Sequence, residues 1–400
     1  MFEEIQPAPA DAILGLTEAY KKDPRPVKVN LGVGVYQDEQ GHTPILGTVK
    51  EAEKRILAAA KTKTYHSISG TPEYGKCVRE LMAGEGHELV SGGRACTAHT
   101  PGGTAALRIG ADFLKLFAQD ATVWVSSPTW ANHKGIFTAA GFRIKEYPYY
   151  DAVSKGLDFE AMKKALRKVP AEDIVLLHAC CHNPTGVDLT PEQWKEVSVL
   201  ARDAGWLPFV DFAYQGFGGG LEGDRAAILA LAGEIPEMLV ASSFSKNFGL
   251  YRDRAGALTV MASTPERAAA AFSHVQTRIR VSYSNPPAHG GLIVQTILSD
   301  ASLRKEWLNE LSAMRNRIAS LRAHLVEGLR AMKVPGDYSF IQKQHGMFSF
   351  SGLNDQQVAY LRDQKAIYMV GGGRINVAGL NDSNMKYVCE SIAEAVAQKK

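Results

Sequence analysis

Between residues 94 and 261 short, almost uninterrupted apolar runs alternate with longer stretches in which apolar positions recur every three to four residues. Residues 122–125, 174–177, 208–210 and 238–241 are runs of the first kind. A strand without a polar face must be covered on both sides, so these runs predict a mainly parallel sheet between layers of crossover helices. Residues 193–202 carry the helical period and predict one such helix. The segment therefore reads as an α/β domain.

Leu303, Trp307, Leu311, Met314, Ile318, Leu321, Leu325 and Leu329 recur at spacings of three and four. They predict one long amphipathic helix, or two nearly collinear ones, joining two domains. The middle also fits a heptad seam, but the run is short for a coiled coil and is flanked by globular sequence. Beyond it, residues 347–350, 367–370 and 374–377 predict the strands of a smaller α+β unit. The expected organisation is an N-terminal segment, 1–45, packing with a small C-terminal domain, 313–400, and a large domain over 46–312.

Composition narrows the class. Apolar residues at 45% and charged residues at 22% match soluble globular proteins and exclude disordered and fibrous chains. A formal charge of +3 leaves no basic stripe to follow a phosphate backbone, which excludes nucleic acid as a partner. No apolar stretch is long enough to span a bilayer. The acidic start, Met1-Phe2-Glu3-Glu4-Ile5, lacks the hydrophobic region of a secretory signal. Five cysteines, without a Cys-x-x-Cys pair, suit reduced thiols in the cytoplasm. Cys180-Cys181 reads as two buried thiols at a strand end rather than a redox pair, and no metal site is expected.

Two motif matches fail on context. Gly70-Thr71-Pro72-Glu73-Tyr74-Gly75-Lys76 imitates a nucleotide P-loop, but Cys77 stands where a hydroxyl should meet magnesium and no apolar strand precedes it. A tight turn before a helix explains it better. Gly218-Gly219-Gly220-Leu221-Glu222-Gly223 fits the dinucleotide pattern without running from a strand directly into a helix, and a flexible loop explains it just as well.

Candidate chemistry collects at strand ends. Ser242-Ser243-Phe244-Ser245-Lys246-Asn247 follows an apolar run and places an amine at a sheet's C-terminal edge, where it can act as a Schiff-base nucleophile. Asp211 ends another strand; a carboxylate there can keep a pyridinium nitrogen protonated, or simply cap a turn. Tyr214 and Asn183, the latter in His182-Asn183-Pro184-Thr185-Gly186, can bond a ring oxygen, or serve as a core aromatic and a structural turn. Thr100-Pro101-Gly102-Gly103-Thr104 opens a helix whose exposed amides would receive a phosphate, with Arg254 as a bidentate cation. Each element alone has a bland reading, and their joint appearance in order carries the functional one.

These segments resemble the class I aminotransferases of pyridoxal phosphate (PLP) fold type I, in the aspartate and aromatic amino-acid branch. The resemblance runs from Pro9-Ala10-Asp11-Ala12-Ile13-Leu14 to near the C-terminus. Its most specific pieces are Cys180 to Gly186, Asp211 to Phe217, Ser243 to Tyr251, and Tyr283-Ser284-Asn285-Pro286-Pro287. It implies a large domain with a mainly parallel seven-stranded sheet, and a homodimer with shared active sites. It further implies that Lys246 carries pyridoxal 5′-phosphate, Asp211 meets the ring nitrogen, Trp130 stacks on the ring, and Tyr214 and Asn183 bond its oxygen. Gly102, Gly103, Thr104, Ser243 and Arg254 match the phosphate cup, completed by Tyr65 from the other subunit. Arg374 matches the grip on the substrate α-carboxylate, Gly34 lies against the substrate, and Arg280, again from the other subunit, matches the grip on a side-chain carboxylate.

The activity so implied is ping-pong transfer of the amino group from aspartate or glutamate to 2-oxoglutarate or oxaloacetate, with activity on aromatic amino acids. An aromatic amino-acid enzyme keeps both arginines and is the alternative. A PLP-dependent lyase would share Lys246 and Asp211 but has less use for two carboxylate-binding arginines. A non-catalytic PLP-binding module would need an appended domain that the sequence lacks. Ala131 and the glycines of Gly371-Gly372-Gly373 depart from the usual pattern and bear on domain closure and selectivity.

Overall fold

The computed structural model describes residues 2–7 and 12–398, without the side chains of residues 12–14. Part of the Pro9 to Leu14 match therefore lies outside the described residues. The chain divides into two compact units: Pro44–Asn316, and Met1–Thr43 together with Arg317–Lys400.

The larger unit is built on seven strands: β1 (Ala95–Pro101), β2 (Thr122–Ser127), β3 (Arg143–Pro148), β4 (Ile174–His178), β5 (Leu207–Phe212), β6 (Met238–Ser243) and β7 (Ala255–Met261). Their order in the sheet is β1-β7-β6-β5-β4-β2-β3. The pairs from β6 through β3 are parallel, while β7 runs antiparallel to both β6 and β1. The mainly parallel seven-stranded sheet is as expected. β4 and β6 are buried at every position, as uninterrupted apolar strands require. β3, at the sheet edge, alternates mostly exposed residues, which is why its sequence carries no strand signal.

Parallel strands need crossover connections, and the helices supply them. Pro191–Ala204 contains the expected 193–202 helix and starts on a capping box: the Thr190 hydroxyl accepts from Gln193 N while the Gln193 side chain accepts from Thr190 N. The Gly70 segment is indeed a turn into a helix, Pro72–Ala83, capped by Thr71. Ala301–Ala331 is one continuous helix, and the division between units falls within it.

The smaller unit has α+β character. Val29–Asn30 pairs parallel with Ile367–Tyr368, and Phe348–Phe350 pairs antiparallel with Arg374–Asn376. Its helices include Asp355–Lys365 and Asp382–Ala397, each opened by an Asn capping box. Among the described residues no helix is long and apolar enough to cross a membrane.

One loop differs from expectation. The Gly218–Gly223 stretch is no flexible loop: the Asp224 carboxylate accepts from the amides of Gly216, Gly218 and Gly219 at 2.7, 3.1 and 2.7 Å. Three amides aimed at one buried carboxylate lock the turn.

Candidate active site

The carboxyl ends of β4, β5 and β6 lie side by side in the parallel sheet, so residues just beyond them share one edge. Lys246 sits in the turn after β6. The turn is held from below: the Trp307 indole N–H donates to Asn247 O at 2.8 Å, and its ring stacks on Phe248 at 4.4 Å between centroids. Trp307 is fully buried, so an aromatic anchor fixes the residues immediately after the lysine. The Lys246 Nζ stands 4.8 Å from the centre of the Tyr214 ring. Burial of the amine pulls its pKa down to about 8, against the opposing charge of Asp211.

Asp211 is buried near the end of β5, opposite His178 of β4. Burial alone would raise its pKa. A hydrogen bond from His133, with the charge of Lys246 beside it, outweighs burial and holds the carboxyl below its ordinary value. His133 Nε2 lies 2.9 Å from Asp211 Oδ2, and His133 Nδ1 lies 2.8 Å from Thr129 Oγ1. An ionised carboxylate only accepts, so the proton belongs on Nε2 and Nδ1 accepts from the threonine hydroxyl. His178, packed against His133 at 5.1 Å, is pushed by burial to a pKa of about 3 and stays neutral.

Asn183 follows β4 in a turn fixed by its neighbours. The Asp188 carboxylate accepts from the amides of Cys181 and His182 at 2.7 and 2.8 Å. His182 stacks on Tyr149 at 4.0 Å and lies 2.9 Å from Ser126 Oγ and 2.8 Å from Thr185 Oγ1. Trp130 caps the helix Ala131–Ala139 and meets the His133 ring edge-on at 5.2 Å.

A second group converges where β1 turns into the helix Gly102–Leu114. Gly102 has φ +80°, and a Cβ there would stand 2.4 Å from Arg254 Nη2. A Cβ on Gly256 would stand 2.4 Å from the Gly102 carbonyl carbon, so Gly256 needs glycine for the backbone approach and Gly102 needs it for its positive φ. Arg254 lies 3.4 Å from Ser245 Oγ, and Ser243 Oγ lies 3.2 Å from Ser245 Oγ. Helix-start amides of Gly102, Gly103 and Thr104, a cation and two hydroxyls are the donor set that could hold a dianionic phosphate.

In the smaller unit Arg374 is buried and donates from Nη2 to Gly32 O at 2.8 Å. Its guanidinium carbon stands 4.4 Å from the centre of the Phe348 ring, which also packs against Gly34. Tyr65 and Arg280, in the larger unit, are exposed, Tyr65 at 91%; Arg280 bonds the Ser284 hydroxyl.

The family model for aminotransferase class I and II matches residues 26–392. The chain belongs to this family. It is 52% identical to the aspartate aminotransferase of Salmonella typhi over 98% of this chain and 99% of that one. It is 46% identical to the aromatic-amino-acid aminotransferase of Pseudomonas aeruginosa over 99% of each chain. A crystal structure of the aromatic-amino-acid aminotransferase from Burkholderia pseudomallei, covalently bound to pyridoxal phosphate, superposes with a TM-score of 0.97 at 46% identity, covering 99% of both chains.

Several residues that support this candidate site escaped the sequence. His133 lies in the Trp130–His133 stretch, yet its tie to Asp211 joins positions 78 apart. Gly256 and Phe348 act through close approach, for which one sequence gives no signal. Cys180, Cys181 and Asp224 form a buried group within ligand distance of one another. The three amides already on the Asp224 carboxylate explain that group without a metal.

Proposed function

We infer that this aminotransferase uses pyridoxal 5′-phosphate held on Lys246 to move the amino group of aspartate or glutamate to 2-oxoglutarate or oxaloacetate. The observation that carries the reading is the desolvated Lys246 amine beside Tyr214, with Asp211 held ionised by His133. The cradle of Gly102, Gly103, Thr104, Ser243 and Arg254 fits the phosphate of the group, because glycine is needed where the arginine and β7 close on it.

When bound, pyridoxal phosphate supplies an aldehyde for the lysine and a ring that stores charge as the substrate Cα–H bond breaks. The chain does the rest. Lys246 Nζ takes the Cα proton and delivers it to the C4′ atom, and its pKa near 8 suits an amine that must exchange protons at neutral pH. Asp211 keeps a proton on the ring nitrogen. Tyr214 and Asn183 donate to the ring oxygen, and Trp130 covers the ring. The partner's Tyr65 completes the phosphate cradle. Arg374 grips the α-carboxylate with Gly34 against the substrate, and the partner's Arg280 takes the side-chain carboxylate. The homodimer this needs is supported by Ile45, Leu57, Tyr65 and Val281, all at least 62% exposed on the larger unit. Five free cysteines suit a cytoplasmic location.

A preference for aromatic amino acids is the second reading, favoured by the relatives of that name. Steady-state kinetics with aspartate and with phenylalanine, at one fixed 2-oxoglutarate concentration, decide between them. The dicarboxylate reading expects the larger kcat/KM with aspartate; a larger value with phenylalanine overturns it.

A further inference from the structure

Arg322 lies in the helix Ala301–Ala331 and is only 3% exposed. Its guanidinium serves one short stretch of chain. Nη1 donates to Ile341 O at 3.3 Å and to the Ser349 hydroxyl, and Nη2 donates to Gly346 O and Phe348 O, both at 2.7 Å. The donors of a guanidinium sit in a rigid planar fork, so four acceptors gathered on it fix the path of residues 341–349.

That stretch leads into the strand Phe348–Phe350, whose Phe350 pairs with Arg374 across the ladder. The Phe348 ring, 3% exposed, lies 4.4 Å from the Arg374 guanidinium carbon. The same ring comes so close to Gly34 that a Cβ there would stand 2.9 Å from its Cζ. Arg374 is thus oriented by an aromatic face on its plane and by the Gly32 carbonyl on Nη2.

We propose that Arg322 is a positioning residue for carboxylate binding: it pins Phe348, and the ring of Phe348 sets the plane of the Arg374 fork. The proposal rests on the reading of Arg374 as the α-carboxylate grip. A pre-oriented arginine loses less rotamer freedom when it binds, so loosening it weakens carboxylate affinity and spares the proton transfer at Lys246.

The test measures succinate affinity of the cofactor-loaded enzyme by calorimetry, with cofactor content and Tm, for Arg322→Lys, Phe348→Leu, Arg374→Lys and the double variant Arg322→Lys/Arg374→Lys. Arg322→Lys should weaken succinate binding about five- to tenfold, less than the roughly thirtyfold worth of a whole desolvated cation–π contact because the Phe348 ring is loosened and not removed. It should raise KM for aspartate, with kcat within about twofold and cofactor content at the parent level. In the Arg374→Lys background the added loss should vanish, because the two residues act in series. Parent-like succinate affinity in Arg322→Lys, or a loss that persists undiminished without Arg374, overturns the proposal. Should Arg322→Lys not fold, Phe348→Leu carries the same expectation, and parent-like affinity there is equally fatal. Arg374→Lys binding succinate as the parent does would sink the functional reading and this proposal together; a weakened Arg374→Lys beside an unaffected Arg322→Lys removes the proposal alone.

Discussion

A lysine amine with a pKa of about 8 should react with aldehydes at pH values where ordinary lysines are silent. The perturbation is pH, applied to protein freed of cofactor. Three influences set the value: burial disfavours the ammonium most, Arg254 disfavours it further, and the Asp211 anion favours it. At pH 7 an amine with that pKa is about 9% neutral and an unperturbed lysine about 0.03%, so Lys246 should hold a roughly 300-fold advantage. The assay is the initial rate of imine formation with pyridoxal, which lacks the phosphate and leaves the cradle out of the measurement. The rate should rise through pH 8 and level off by about pH 9. Replacing Asp211 with Asn removes the stabilising anion and should move the midpoint lower. A rate still climbing steeply at pH 10, or a midpoint that rises in Asp211→Asn, would refute the electrostatic reasoning.

Two further expectations concern groups near the cradle. His99 is 3% exposed and burial lowers its pKa to about 4, so between pH 6.5 and 4 the unfolded chain binds the extra proton and stability falls as pH falls. Urea unfolding should show about 3 kcal/mol of that acid loss missing in His99→Gln, scaled at 1.36 kcal/mol per pH unit; an unchanged pH slope contradicts the account. Gly256→Ala forces a Cβ against the Gly102 backbone and should lower stability by about 1–3 kcal/mol while cutting cofactor retention on gel filtration; full retention would show that the β1 turn yields freely.

Much of the large sheet was legible in the sequence because β4 and β6 are buried on both faces and are apolar up to their last residues, His178 in β4 and Ser242-Ser243 in β6. The edge strand β3 was not, since exposed Arg143, Glu146 and their neighbours leave no pattern, and the antiparallel sense of β7 depends on pairing that apolarity does not encode. Lys246 and Asp211 could be singled out because each sets a chemically active residue at or just beyond the end of an apolar run. Their supports could not. His133 reaches Asp211 of β5 from the helix Ala131–Ala139, and Arg322 reaches Phe348 through backbone carbonyls, which any residue at positions 346 and 348 would present. The Gly218–Gly223 stretch was misread as flexible because its stiffness comes from a single aspartate that follows it.

The central claim is that one amine, that of Lys246, carries the cofactor. Borohydride reduction of the purified, cofactor-loaded protein followed by peptide mapping tests it most directly. The account predicts a single reduced pyridoxyl group on the peptide containing Phe244 to Phe248, absent from Lys246→Ala; a label on another lysine, or undiminished label in that variant, contradicts it.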